Sequence, residues 1–286
     1  MDQHVVKLIE CPRDAMQGWK NFIPTEKKIK YINSLLNVGF DTLDAGSFVS
    51  SRAIPQMADT KVVIRNLELE NSRSKVLVIV ANVRGAEEAI GYKEITYLGF
   101  PFSVSETFQL RNTNSTIKES FKRVEEIQKI CALSGKKLVI YISMGFGNPY
   151  GDPYSEEIVF NSVNRIVDMG ITVISLADTV GVAQKEQVFS MTNYLVDALP
   201  WIEFGVHLHS THLNWEEKLN AAVLAGCKCF DGALKGIGGC PMANDELVGN
   251  MNTEWMISYF EEKGVLPELN KQALQESLQL ASEIFI

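Results

Sequence analysis

The stretch TIKESFKRVEEIQKICALSGKKLVIYIS, residues 116–143, decides the reading of the whole chain. Thr116 and Glu119 stand at capping-box spacing, and Ile117, Phe121, Val124 and Cys131 recur on one face of a helix that Gly135 ends. Two residues later the period changes, and residues 137–143 form a short strand rich in β-branched and aromatic side chains. A helix running straight into a strand is the repeating half-unit of a parallel sheet.

Working outward, the same alternation recurs along the chain. Strand-like runs occupy residues 5–10, 42–47, 75–81, 94–100, 137–143, 173–179, 204–210 and 229–235. Eight βα units in series predict a closed (β/α)8 TIM barrel of the α/β class rather than an open sheet. The 286 residues, 46% of them hydrophobic, suffice for such a core, and a barrel of this kind takes about 250 residues. In residues 25–37, Ile29, Ile32, Leu35 and Leu36 share a face, with Thr25 as the expected N-cap and Gly39 as the stop. Two further helices, around 253–263 and 271–285, are expected to pack outside the barrel or over its active face. We therefore expect one domain over 1–286, with 249–286 as a helical extension, because no Pro/Gly/Ser linker divides the chain.

Composition narrows the function. A formal charge of −8, without a basic stripe, argues against nucleic acid as a partner. No apolar run reaches the roughly 18 residues that span a bilayer, and the polar start Met-Asp-Gln-His does not read as a targeting segment. A cytoplasmic protein with no membrane partner is expected. The five cysteines are odd in number and lack disulfide or zinc spacing; Cys227 and Cys229 read as small buried residues, and only Cys240 sits where chemistry is suggested.

Chemistry concentrates in GVHLHSTH, residues 205–212. Side chains two apart on a strand share a face, so His207 and His209 can offer two imidazoles to one cation, while His212 lies beyond the strand and is read as solvated. The loops after strands form the active face of a barrel. Gly/Pro-rich loops follow the fifth strand (145–153) and the eighth (236–241), and polar residues gather at the strand ends: Arg13, Asp14, Asp44, Tyr141, Asp178, His207, His209, Cys240 and Asn250. Two neutral imidazoles, a carboxylate and an amide oxygen suit a divalent ion such as Mg or Mn. Taken singly, Arg13–Asp14 reads equally as a surface ion pair, Cys240 as a buried thiol and Asn250 as a helix cap.

An ordered set of motifs adds to this. Glu10-Cys-Pro-Arg-Asp-Ala-Met-Gln17, Gly46-Ser-Phe-Val-Ser50 with Pro55-Gln-Met57, Ser175-Leu-Ala-Asp-Thr-Val-Gly181, His207-Leu-His209, and Gly238-Gly-Cys-Pro241 through Gly249-Asn250 with Thr253-Glu254 follow one another along nearly the whole chain. In them the chain resembles the 3-hydroxy-3-methylglutaryl-CoA (HMG-CoA) lyases. The resemblance implies a metal-dependent barrel that cleaves an acyl-CoA to acetyl-CoA and acetoacetate, and a homodimer. It places the metal ligands on Asp14, His207, His209 and Asn250, and catalytic roles on Arg13, Cys240, Asp178 and Asp44; Gln17, Ser47 and Tyr141 are assigned to substrate binding. In that chemistry Arg13 stabilises the enolate oxygen, Cys240 on a mobile loop moves a proton, and Asp178 transfers a proton, or instead caps the next helix or orients a neighbour.

Departures from the pattern carry expectations of their own. Leu43-Asp44-Ala45 replaces the more usual Ile-Glu-Thr, so Asp44 sits a methylene farther back and is expected to orient Arg13 less tightly. Ser210 stands where an Asp is usual beside the metal, predicting a more weakly held ion. Met144 and Asn148 occupy positions where some members carry cysteine, so thiol regulation there is not expected. Two other readings compete: an aldol-cleaving or Claisen-condensing barrel, against which Gly238-Gly-Cys-Pro241 speaks, and a metal-stabilised scaffold, which has no need of Arg13 and Cys240.

Overall fold

The computed structural model describes residues 5–239 and 248–286. Its strands are β1 (Lys7–Glu10), β2 (Thr42–Ser47), β3 (Lys75–Ile79), β4 (Tyr97–Ser103), β5 (Lys137–Ser143), β6 (Val173–Ala177), β7 (Glu203–His207), β8 (His209–Ser210), β9 (Cys229–Gly232) and β10 (Gly249–Asn250). The helices are α1 (Pro12–Gln17), α2 (Thr25–Leu36), α3 (Thr60–Arg65), α4 (Val83–Ala89), α5 (Glu106–Thr113), α6 (Ile117–Ser134), α7 (Glu156–Val167), α8 (Lys185–Ala198), α9 (Trp215–Leu224), α10 (Thr253–Glu262) and α11 (Lys271–Ile284). Strands β1 to β7 and then β9 are parallel neighbours in chain order, and β9 pairs back onto β1 to close the barrel, with Lys7 opposite Cys229 and Glu10 opposite Gly232.

Closure leaves the barrel without an edge strand, and large apolar residues of the strands pack against the helices. Phe100, Phe102, Phe230 and Phe260 are fully buried. Phe102 meets Phe121 of α6 at 4.6 Å between ring centroids, and Phe230 meets Phe260 of α10 at 4.9 Å. Burying one such ring contributes about 3 kcal/mol. The expected capping box forms as read: Thr116 accepts from the Glu119 amide, Glu119 accepts from the Thr116 amide, and Gly135 takes the left-handed φ of 68° at the C-cap.

Three expectations shift. The fourth strand lies three residues farther on than 94–100, because Pro101 does not break it: β3 pairs with β4 only as far as Gly99, so the missing N–H of Pro101 falls beyond that ladder. The seventh run, 204–210, divides at Leu208; β7 stays in the barrel, while β8 pairs antiparallel with β10. Thr25 is the first helical residue rather than the N-cap, which is Pro24, and its hydroxyl donates to Asp59 at 2.8 Å. The C-terminal helices pack outside the barrel as one of the two options foresaw; the Phe285 ring after α11 lies edge-on to Trp19 and Tyr31 at 5.2 and 6.1 Å, and Ser277 bonds Ser34 of α2.

Candidate active site

Helix α1 begins directly after β1 with Pro12, whose fixed φ suits a first helical position, so Arg13 and Asp14 are delivered to the C-terminal mouth of the barrel. Asp14, His207 and His209 offer ligand atoms that all lie within 4.8 Å of one another, and the two imidazole centroids are 5.3 Å apart. Asn250 joins them because β10 sets it opposite His209. Its amide nitrogen donates to Asp14 at 2.8 Å and to the Ile237 carbonyl at 2.9 Å. Its buried Oδ1 has no hydrogen-bond partner among the described residues. A buried acceptor left unpaired is uncommon; this one belongs to the residue paired across the ribbon with His209 and bonded to Asp14, and two imidazoles, a carboxylate and an amide make a donor set that fits a hard to borderline divalent cation.

The approach is close enough to need glycine. At Gly238, with φ of 102°, a Cβ would stand 2.6 Å from the Asn250 amide nitrogen and 2.9 Å from the Asp14 carbonyl oxygen.

Charge is arranged to suit. Burial alone would raise the Asp14 carboxyl, but Arg13 and both histidines outweigh it and hold the group below its usual range. Burial, with His207 adding to it, pushes His209 down to about 3, so its imidazole is neutral. His207 is raised: burial opposes its charge, but Asp231 more than offsets this, its carboxylate 3.1 Å from Nδ1. That contact leaves Nε2 as the free ring nitrogen and fixes the ring, the usual arrangement behind a metal-bound histidine.

Arg13 bridges two carboxylates. It donates from Nη1 to Asp14 at 2.8 Å, and from Nε at 2.9 Å and Nη2 to one oxygen of Asp44. Burial works against its charge, yet Asp44 and Asp14 hold its pKa above the ordinary value. Two guanidinium donors thus converge on one Asp44 oxygen despite its shorter side chain. A bulge in the β2–β3 register between Asp44 and Gly46 adjusts the strand at this point.

The remaining candidates fall around this centre. Gln17 donates to Asp14 at 2.7 Å, so its amide is engaged with that carboxylate. The Ser47 hydroxyl accepts from the Val49 amide at 3.3 Å. Tyr141 presents its ring edge-on to His207 at 6.0 Å, and burial raises its hydroxyl well above the ordinary value. Asp178 does not cap α8, whose N-cap is Gln184; its Oδ1 accepts from the Ala183 amide ahead of that helix, and Oδ2 takes a 2.7 Å bond from buried Lys218. Asn250 is not a helix cap; Asn252 caps α10. His212 is exposed, and Cys227 and Cys229 are buried. Cys240 lies outside the described residues.

Three residues escaped the sequence reading. Asp231 was legible as a lone charge in Cys-Phe-Asp-Gly, an otherwise apolar strand. Lys218 stands on the apolar stripe of α9 with Ala221 and Ala222, a weak signal. Glu10 joins β1 to the segments that follow its neighbour β9, accepting from the Leu234 amide at 2.8 Å and the Thr253 hydroxyl at 2.6 Å.

Fold and site together define a (β/α)8 barrel whose mouth gathers nitrogen and oxygen groups able to hold a cation beside a buried arginine. The HMGL-like family model matches residues 6–281, and the chain belongs to that family. It is 32% identical over 275 residues to the mitochondrial hydroxymethylglutaryl-CoA lyase of Rattus norvegicus, covering 95% of this chain and 83% of that protein. The cytoplasmic 3-hydroxy-3-methylglutaryl-CoA lyase of Danio rerio is 31% identical, with 91% and 77% covered. Among solved structures, an HMG-CoA lyase from Acinetobacter baumannii in complex with coenzyme A and 3-methylmalate superposes with a TM-score of 0.91 at 30% identity, over 100% of this chain and 92% of that one.

Proposed function

We propose that this protein is a divalent-metal-dependent carbon–carbon lyase that cleaves HMG-CoA to acetyl-CoA and acetoacetate. The observation that carries the reading is the meeting of Asp14, His207 and His209 beside Arg13, with Asn250 bonded to Asp14 and its Oδ1 unpaired among the described residues. The named lyase relatives support the substrate class.

Asp14, His207, His209 and Asn250 would hold the cation, which supplies Lewis acidity toward the substrate's hydroxyl and carboxylate oxygens. Arg13 remains charged at any working pH. Held by Asp44, it offers fixed N–H donors where the departing acyl-CoA fragment develops negative charge on its thioester oxygen. Asp231 keeps His207 in one tautomer, and Gln17 keeps Asp14 in place. Asp178, engaged with Lys218 and Ala183, serves orientation in this scheme, while Cys240 is assigned the proton transfer that completes acetyl-CoA. The cytoplasmic placement belongs to the same proposal; the zebrafish relative carries that name and the rat relative a mitochondrial one.

Purified protein incubated with HMG-CoA in Mg2+ or Mn2+ should release acetoacetate, and EDTA should stop it. No product with either metal overturns the reading.

A further inference from the structure

The barrel ladder that carries His207 does not carry His209. Strand β7 ends at His207, and His209 belongs to the two-residue ribbon of β8 and β10. The relative placement of the two imidazoles is therefore left open by the sheet, and another connection closes it. The Asp178 amide donates to the His207 carbonyl at 3.0 Å. The Asp178 carboxylate accepts from Lys218 Nζ at 2.7 Å, and the same Nζ donates to the His209 carbonyl at 2.9 Å. Lys218 places its remaining contact on the Gly181 carbonyl at 3.2 Å.

An ammonium has three N–H donors, and all three find acceptors here. Lys218 and Asp178 are each 1% exposed, and a buried ion pair persists only when its groups are satisfied in this way. From these contacts we infer that Lys218, acting through Asp178, is a positioning residue that sets the separation and orientation of His207 and His209 as a cation-binding pair. The inference rests on the cation site proposed above.

Helix α9 supplies the device from outside the sheet. Trp215, three residues before Lys218, packs against Trp255 of α10 at 5.3 Å between centroids. Each tryptophan follows a ligand-bearing ribbon strand by a few residues, so the helix that holds Lys218 is itself fastened to the helix that follows Asn250.

The test measures Mn2+ binding to the full-length protein by electron paramagnetic resonance, with the 14N couplings of the bound ion counted by spin-echo modulation. The parent should bind Mn2+ and show two imidazole couplings. Lys218→Met removes the donor to His209 and should weaken Mn2+ about 10- to 100-fold, the usual range for losing a group behind a ligand, with one coupling lost or altered. Because that variant leaves Asp178 buried without its partner, Lys218→Met combined with Asp178→Asn is measured beside it. This neutral pair keeps the volume and should fold, as shown by circular dichroism, yet still bind Mn2+ more weakly. Parent-like affinity and couplings in a folded variant overturn the positioning role and leave the cation site standing. A parent that binds no Mn2+ overturns both.

Discussion

Replacing Glu10 by Gln should change how stability depends on pH. Burial lifts the Glu10 carboxyl from its ordinary 4.5 to about 8, against the opposing hydrogen bonds from Thr253 and Leu234. A raised acid holds its proton in the folded protein where the unfolded chain has released it. Its stabilising contribution is therefore complete below pH 4.5 and is lost as pH rises through about 8. At about 1.4 kcal/mol per pH unit, the interval amounts to about 5 kcal/mol, of which about 3 kcal/mol is gone by pH 7. Gln keeps the acceptor for the Leu234 amide and turns a donor toward the Thr253 hydroxyl, but has nothing to titrate. Urea unfolding of parent and variant from about pH 5 to about pH 9 should give similar stabilities at the acid end. At the alkaline end the variant should be more stable by a few kcal/mol. A parent–variant difference that stays constant across the range would refute the reasoning.

Other perturbations separate the parts of the site. Gly238→Ala places a Cβ against the Asn250 amide nitrogen and Asp14 backbone and adds left-handed strain, so it should cost about 1–3 kcal/mol in urea unfolding and weaken Mn2+ binding. Asp231→Asn removes the charge behind His207 and should reduce Mn2+ affinity about 10- to 100-fold by titration calorimetry; unchanged affinity would remove Asp231 from the site. Arg13→Lys keeps the charge but loses the paired donors on Asp44, and kcat should fall about 100-fold or more while KM moves little. Cys240→Ala should lower acetoacetate formation strongly with Mn2+ binding intact, and normal turnover would take the thiol out of the mechanism.

Much of the barrel is visible before folding because its code is local. Residues 42–47 and 137–143 read as strands and are strands, and the 116–135 helix carries its own start and stop. Local signals mislead where a neighbour decides the outcome. Pro101 is tolerated inside β4 because β3 ends before reaching it. Residues 204–210 look like one strand until β10 arrives to claim His209 and Ser210. Four short helices, α1, α3, α4 and α5, have too few turns to show a period and are held by packing.

The sequence by itself determined the alternation of elements, the His-x-His pair and the residue types able to hold a cation, because propensity, period and donor chemistry belong to the residues. Tertiary structure decided which groups meet. Asp14 reaches His207 and Asn250 through barrel closure, Asp231 stands behind His207 because β9 is its neighbour, and Lys218 joins the two histidines from outside the sheet. Those contacts join residues 9 to 236 positions apart, and no local propensity or period forms them; closure does, by bringing the strand ends to one mouth.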